Sequence, residues 1–202
     1  YIDSHCHIHD TEFYPDNREE VYQESRKAGV TMFCVGTDIR SSREAVAFAR
    51  SHEGCYAIVG IHPHEAKDNT TDDIRALLDE YRENIVGIGE IGLDYFYDHS
   101  PQDVQQQRLR EQLALAQEYQ LPVSFHVRDA VSGGKSRSVW HDFWPVFDEY
   151  QGLRGVLHSF TDTNEQAAKG VARGLSIGIN GIATFTKQTS QLELYRDLPL
   201  DR

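Results

Sequence analysis

The sequence predicts an α/β fold built on a parallel sheet, arranged either as a (β/α)₈ barrel or as an open doubly wound sheet. Short apolar segments alternate with amphipathic ones seven times along the chain, which is typical of strand–helix units. The strand segments are apolar through most of their length, as expected when both faces of a sheet are covered. We find no repeat or linker that divides the chain, so residues 1–202 are expected to form a single domain.

The elements follow in order along the chain. The predicted strands cover residues 2–7, 30–35, 55–61, 85–91, 122–127, 155–158 and 175–179. The predicted helices cover residues 17–27, 41–51, 71–83, 101–119, 138–150, 164–173 and 188–196. Ser41 or Ser42 is expected to cap the second helix, and Pro101 suits the first turn of the fourth. Residues 131–138, rich in Gly, Ser and Lys, are expected to form a flexible loop or a lid that contacts substrate.

The composition limits the class of protein. The hydrophobic content of 39% and the charged content of 26% suit a folded globular chain. The chain lacks the roughly 20 consecutive apolar residues of a membrane span and has no signal peptide pattern, which predicts a cytoplasmic protein without membrane contact. Cys6, Cys34 and Cys55 lie in apolar segments and are expected to be buried thiols in a reducing compartment. The net charge of −12 argues against a broadly basic nucleic-acid surface, although bound divalent metals can reverse the local field.

Histidines and carboxylates recur where the predicted strands end. His5 and His7 alternate along the first strand, so both imidazoles point to the same side, about 6–7 Å apart. The later strands end in similar side chains: His62, His64, Glu90, Asp94, His126, Arg128, Asp129 and His158. One such residue could be a satisfied polar group of the core, but several at one rim would be costly to bury without a bound ligand. Imidazole and carboxylate together suit zinc, manganese and similar ions, so the sequence predicts a metal site.

The order of these residues suits a site for two ions. His5 and His7 would hold one ion, and His126 and His158, from later strands, would hold another. Glu90 lies on the strand between them and could bridge the two. Ions about 3.5–4 Å apart activate a water and neutralise charge on the group it attacks, which favours a hydrolase.

Five motifs together resemble the TatD family of metal-dependent deoxyribonucleases, in order over nearly the whole chain. They are Asp3-Ser4-His5-Cys6-His7, Gly60-Ile61-His62-Pro63-His64, Gly89-Glu90-Ile91-Gly92-Leu93-Asp94, His126-Val127-Arg128-Asp129-Ala130 and His158-Ser159-Phe160. The resemblance implies a TIM barrel of the amidohydrolase type with two divalent ions, which would be Mg, Mn or Zn. It also implies DNA as the substrate, exonucleolytic cleavage and no obligate protein partner.

The resemblance also assigns roles by position. It implies that Glu90 bridges the two ions and takes part in catalysis together with His62. The implied metal ligands are His5, His7, Glu90, His126 and His158.

Other residues have more than one possible role. His62, His64 and Arg128 are predicted to contact substrate, but His64 could equally be a solvent-facing loop residue and Arg128 could pair with a carboxylate. Asp94 and Asp129 are predicted to orient ligand imidazoles, or else to cap a helix.

The C-terminal end departs from the family pattern. The family continues past a segment like Leu198-Pro199-Leu200-Asp201-Arg202 into an eighth strand, whose Asp binds metal. A (β/α)₈ barrel usually needs about 250 residues, so we expect the eighth strand and final helix to be missing through C-terminal truncation.

Two alternative functions remain at this stage. A related barrel could hydrolyse an ester, lactone, amide or phosphotriester rather than DNA. The chain could also be an inactive protein that binds metal without catalysis.

Overall fold

The computed structural model describes residues 1–97, 99–130, 138–199 and 201–202, so the predicted loop over 131–138 lies, apart from Ser138, outside the described residues. The described part of the chain contains seven strands and seven α-helices. The strands are β1 (Ile2–Cys6), β2 (Thr31–Val35), β3 (Cys55–Val59), β4 (Ile85–Asp94), β5 (Val123–Arg128), β6 (Gly155–Leu157) and β7 (Ser176–Ile177). The helices are α1 (Arg18–Lys27), α2 (Ile39–Ser51), α3 (Thr71–Tyr81), α4 (Gln102–Glu118), α5 (Trp140–Asp148), α6 (Asn164–Ala172) and α7 (Thr189–Asp197).

The order of the strands decides between the two predicted architectures. The seven strands form one sheet in which each strand pairs in parallel with the next one in sequence, from β1 to β7. A doubly wound sheet reverses its strand order at a switch point, and this sheet does not. It curls into a half-barrel with its helices, as the barrel prediction requires, and the described strands do not include an eighth. No helix in the described part of the chain is long and apolar enough to cross a membrane.

Several element boundaries differ from the prediction; β7, for example, covers only Ser176–Ile177 rather than residues 175–179, and two other differences have a clear physical cause. Helix α2 begins at Ile39 rather than at Ser41, because the Asp38 carboxylate accepts a hydrogen bond from Ser41 N at 2.6 Å and caps the helix earlier. Strand β4 continues through Asp94 instead of ending at Ile91, because it pairs with β5 along its whole second half. This longer strand carries both Glu90 and Asp94 on one rigid element.

The core lies between the sheet and the helices. Phe125 of β5 is fully buried, and its ring lies 5.4 Å from that of Phe143 and 5.7 Å from that of Phe147 on α5. Burying a side chain of this size stabilises a fold by roughly 1.5–3 kcal/mol. The packing fixes β5, and therefore the residues at its carboxyl end.

The three cysteines are free thiols, as predicted. Cys34 and Cys55 are buried and Cys6 is half-buried. Cys6 Sγ donates to Phe33 O at 3.4 Å, and Cys6 lies opposite Cys34 in the pairing of β1 with β2. These thiols contribute to the packing of the first strands.

Candidate metal centre

The close approach of β4 and β5 depends on glycine. A Cβ atom on Gly92 would overlap the backbone carbonyl of His126, and the φ angle of Gly92 is +154°. A Cβ atom on Gly89 would lie 2.8 Å from Ser124 O. The pairing also shifts register between Gly89 and Ile91, and such irregularities re-aim a side chain. Glu90 lies at this shift, between the two close contacts.

The Glu90 carboxylate is the centre of the histidine cluster. Its residue is only 6% exposed. The described imidazole nitrogens nearest to it are His126 Nδ1 at 2.9 Å, His5 Nε2 at 3.4 Å, His62 Nε2 at 3.7 Å and His158 Nε2 at 3.9 Å. These histidines come from four different strands or strand ends. The predicted convergence of strand ends at one rim is therefore observed.

Glu90 stays ionised in spite of its burial. Burial alone would raise the pKa of its carboxyl, because a charge is poorly solvated there. The hydrogen bond with His126, the close approach of the His5 ring and the positive potential of the neighbouring imidazoles outweigh this effect and hold the pKa well below its usual range. A buried anion surrounded by imidazoles is a favourable position for a cation.

One possible ligand group contains His5, Glu90 and His158. Their donor atoms lie within 4.8 Å of one another. The rings of His5 and His158 are stacked, with centroids 3.4 Å apart and planes 9° apart. His5 Nδ1 lies 3.1 Å from Ser124 Oγ, whereas its buried Nε2 has no hydrogen-bond partner. A metal ion would supply the partner that this nitrogen lacks, so the donor set fits a metal.

A second possible group contains His62, Glu90 and His126, again with donor atoms within 4.8 Å of one another. His126 donates from Nδ1 to Glu90 and from Nε2 to Asp94, both at 2.9 Å. Burial lowers the pKa of His126, but the two carboxylates outweigh it and raise the pKa to about 9. Without a metal ion, His126 therefore carries a proton that an ion would have to displace.

The geometry pairs the histidines differently from the family resemblance. The resemblance joins His5 to His7 and His126 to His158, whereas the structure groups His5 with His158 and His62 with His126. His7 lies outside both groups of described residues, although its ring is 5.1 Å from that of His5. The predicted ligand roles remain predictions.

His7 is nevertheless oriented for coordination. Its Nδ1 donates to Val35 O at 2.9 Å, which leaves the lone pair on Nε2. It also lines a cavity of about 380 Å³ together with Glu90, His126 and His158. Burial lowers the pKa of His7, so its imidazole is neutral at pH 7. A neutral ring whose other nitrogen is held by a carbonyl is the usual form of a histidine ligand.

His62 has the opposite tautomer. Its Nδ1 accepts a hydrogen bond from the backbone N–H of His64 at 3.1 Å, so in the neutral ring the proton sits on Nε2. Burial lowers the pKa of His62 to about 3, which keeps the ring neutral. The protonated Nε2 lies 3.7 Å from Glu90 Oε1. This arrangement suits a hydrogen-bond donor better than a metal ligand.

Asp94 contacts two imidazoles, as its predicted orienting role requires. Its Oδ2 lies 2.9 Å from His126 Nε2 and 3.0 Å from His64 Nε2. The side chain of His64 is 26% exposed, and its ring contacts Asp94. Hydrogen bonds from these rings and from backbone amides outweigh the effect of burial and lower the pKa of Asp94.

The contacts that Asp129 makes with described residues are not with ligand imidazoles, and those of Arg128 are not with carboxylates. Asp129 accepts hydrogen bonds from Ala130 N, Ser138 Oγ and Val139 N at 2.5–3.0 Å, so it organises the approach to α5. The Arg128 guanidinium carbon lies 4.1 Å from the centre of the Phe96 ring and 4.9 Å from that of Tyr97. The substrate contact of Arg128 and the orienting role of Asp129 stay predictions.

Two features near the site were not predicted from the sequence. Ser124 contacts His5 from inside a buried strand, and an isolated polar residue in an apolar segment was the available signal. Phe96 and Tyr97 lie beside the site on the turn after β4. The three consecutive aromatic residues from Tyr95 to Tyr97, directly after the strand end, were the signal there.

A parallel barrel sheet whose strand ends gather imidazoles around a buried carboxylate defines the class of metal-dependent hydrolases. The family of TatD related DNases matches residues 2–202, and the chain belongs to this family. It is therefore a metal-dependent hydrolase, as the sequence motifs predicted.

Relatives agree with this assignment. The 3'-5' ssDNA/RNA exonuclease TatD of Cronobacter sakazakii is 38% identical over 94% of this chain and 70% of its own length. The uncharacterized metal-dependent hydrolase YabD of Bacillus subtilis is 31% identical over 100% of this chain and 76% of its own length. The crystal structure of YjjV, a TatD homolog from Escherichia coli K12, has a TM-score of 0.85 at 28% identity, over 99% of this chain and 75% of that one.

Proposed function

We propose that this chain, as a single domain, hydrolyses phosphodiester bonds of DNA with two divalent metal ions held on either side of Glu90. The observation that carries the proposal is the buried Glu90 carboxylate, whose two oxygens face different histidines. The name of the relative from Cronobacter sakazakii supports single strands and a 3' end as the preferred substrate, with RNA as a further one. A cytoplasmic location and activity without an obligate protein partner belong to the same proposal.

The proposed ligands are the five predicted ones: His5, His7, Glu90, His126 and His158. The unpartnered Nε2 of His5 and the free Nε2 lone pair of His7 support one site. When bound, the ions would lower the pKa of a water molecule and neutralise charge on the phosphate.

His62 is proposed to act on the substrate rather than on the metal. Its Nε2–H can donate a hydrogen bond to a phosphate oxygen that takes up charge during the reaction. Because the ring is neutral at pH 7, this N–H donor is already in place. His64 is proposed to support His62. The backbone N–H of His64 fixes the tautomer of His62, and Asp94 holds the ring of His64 in place.

The test is cleavage of a single-stranded DNA oligonucleotide with Mg²⁺, Mn²⁺ or Zn²⁺, each with and without a chelator. We expect cleavage that the chelator abolishes. Glu90→Gln should cost more than the roughly 10–100-fold that loss of an outer partner of a metal ligand costs. Glu118→Gln is the matched control, because Glu118 pairs with Arg75 on the exposed surface and should leave the rate unchanged.

Parallel assays separate this proposal from its alternatives. Hydrolysis of an ester or lactone without cleavage of DNA would assign the chain to another amidohydrolase activity. Calorimetry that detects bound ions, together with no hydrolysis of any substrate, would favour a protein that binds metal without catalysis. Either result would overturn the nuclease proposal.

A further inference from the structure

Phe96, Tyr97 and Arg128 form a surface cluster beside the candidate metal centre, here called the aromatic platform. Phe96 is 38% exposed and Tyr97 is 40% exposed, although the preceding residues Asp94 and Tyr95 are buried. The two rings lie 4.6 Å apart with their planes at 76°. Large aromatic side chains left at a surface next to a cavity mark a candidate site for ligand contact.

Arg128 adds a positive charge to the aromatic platform. Its guanidinium lies over both rings, at 4.1 and 4.9 Å from their centres, a distance typical of cation–π contacts. Among the described residues it forms no ion pair with a carboxylate. Arg128 also lines the same cavity as Glu90 and His126, so its charge lies where an anionic substrate would enter.

The aromatic platform is tied to the metal centre through a single carboxylate. Asp94 Oδ1 accepts hydrogen bonds from the backbone N–H groups of Phe96 and Tyr97, both at 2.9 Å. Its Oδ2 contacts the ring of His126. The pairing of β4 with β5 also places Asp94 opposite Arg128. The rings are therefore held at a fixed position relative to the residues around Glu90.

The charge of the chain limits how it can hold a nucleic acid. The net charge of −12 argues against the broad basic surface that usually supplies affinity for the phosphate backbone. Stacking of bases on aromatic rings is another source of affinity for a nucleic acid, and it does not depend on positive charge. An unpaired nucleobase fits the aromatic platform better than an apolar peptide, because the site combines aromatic rings with a cation that lines the cavity of Glu90.

We propose that the aromatic platform stacks the unpaired nucleobase of the nucleotide next to the phosphate that is cleaved. This inference rests on the proposed nuclease function. It makes the platform a determinant of selectivity for single strands, because a base paired within a duplex cannot leave its stack to reach these rings without losing its pairing energy.

The first experiment compares KM and kcat for a single-stranded oligonucleotide and for one in which the base beside the cleaved bond is replaced by an abasic site. Phe96→Ala and Tyr97→Ala should each raise KM on the normal strand by roughly 5- to 150-fold, the range for loss of one base–aromatic stack. On the abasic strand both variants should match the wild type. Phe96→Tyr and Tyr97→Phe, which keep the rings, should retain the wild-type KM.

Tyr56→Ala is the matched control, because Tyr56 is also 38% exposed but packs its ring against Phe33 in the sheet, away from the site. It should leave KM unchanged on both strands. Equal effects of Phe96→Ala on normal and abasic strands would overturn the proposal, as would a wild-type KM in both alanine variants.

A binding measurement separates failure of the aromatic platform from failure of the proposed function. Stacking should quench the fluorescence of a 2-aminopurine base in a single-stranded oligonucleotide, in the wild type and not in the Phe96→Ala, Tyr97→Ala double variant. This quenching is expected even if the chain cleaves no DNA. Cleavage of DNA without any quenching in the wild type would overturn the proposed stacking role of the aromatic platform and leave the nuclease function intact.

Discussion

The Asp94 carboxylate lies 2.9 Å from His126 Nε2 through one oxygen, while its other oxygen holds the backbone of the following turn. On its other side, His126 donates to Glu90 at 2.9 Å. His126 therefore donates hydrogen bonds to two carboxylates on the same strand. These carboxylates fix both the position of its ring and its protonation state.

Replacing Asp94 should release His126 and slow catalysis. Asp94→Asn removes the negative charge at similar size, so the pKa of His126 should fall from about 9 toward its ordinary value. Activity should drop by roughly 10–100-fold, the usual cost of losing an outer partner of a metal ligand. NMR titration of the imidazole and steady-state kinetics measure the two effects. Asp148→Asn, which breaks only a pair with Arg173, is the control, and an unchanged pKa of His126 in Asp94→Asn would contradict the argument.

Metal binding should release a proton from His126 at pH 7. In the metal-free protein the pKa of His126 is about 9, so the ring is protonated, and coordination requires its neutral form. Calorimetric titration with Zn²⁺ in two buffers of different ionisation enthalpy gives the number of protons released. We expect about one at pH 7, and fewer as the pH approaches 10, because the proton is then already lost. A release that does not change with pH would contradict this assignment.

The same pKa predicts how the stability of the metal-free protein depends on pH. The folded-state pKa of His126 lies above the ordinary value of 6.5, so its contribution to the free energy of unfolding is fully present below pH 6.5. That contribution is lost as the pH rises through about 9. Urea unfolding of chelated protein at pH 6.5 and pH 9.5 measures this loss. In Asp94→Asn, the free energy of unfolding should differ less between pH 6.5 and pH 9.5 than it does in the wild type.

The tautomers of His7 and His62 predict different effects of mutation. His7→Ala should weaken metal binding, because the free Nε2 lone pair is removed. His62→Ala should keep metal affinity near that of the wild type and lower kcat by roughly 10²–10³-fold, as expected for loss of a hydrogen-bond donor to developing charge. Calorimetry measures the first effect and single-turnover kinetics the second. His62→Gln, which retains an N–H donor, should recover part of kcat, and a loss of metal binding in His62→Ala would show that His62 is a ligand instead.

The strand–helix alternation followed from the sequence, and so did the meeting of polar residues at one rim, because five of the seven predicted strands end in a His or a carboxylate. The pairing of His5 with His158 did not follow, since sequence order gives neighbours along the sheet and not distances across a curved one. The early start of α2 at Ile39 was missed, because two serines were weighed as caps and Asp38 was not. The position of Arg128 over Phe96 depends on the turn that Asp94 forms, which no periodicity encodes.

The backbone of the site should be more sensitive to Gly92 than to other glycines with a positive φ angle. Gly92→Ala combines strain of about 1–3 kcal/mol with an overlap between the new methyl group and the His126 carbonyl, so β4 and β5 would have to separate. Gly152→Ala is the matched control, because Gly152 has a φ of +75° but nothing within 4 Å of its Cβ position. Urea unfolding should show a larger loss of stability for Gly92→Ala than for Gly152→Ala. Metal affinity should also fall in Gly92→Ala alone, since the separation moves Glu90 relative to His126, and equal losses in both variants would mean that close strand contact does not position the site.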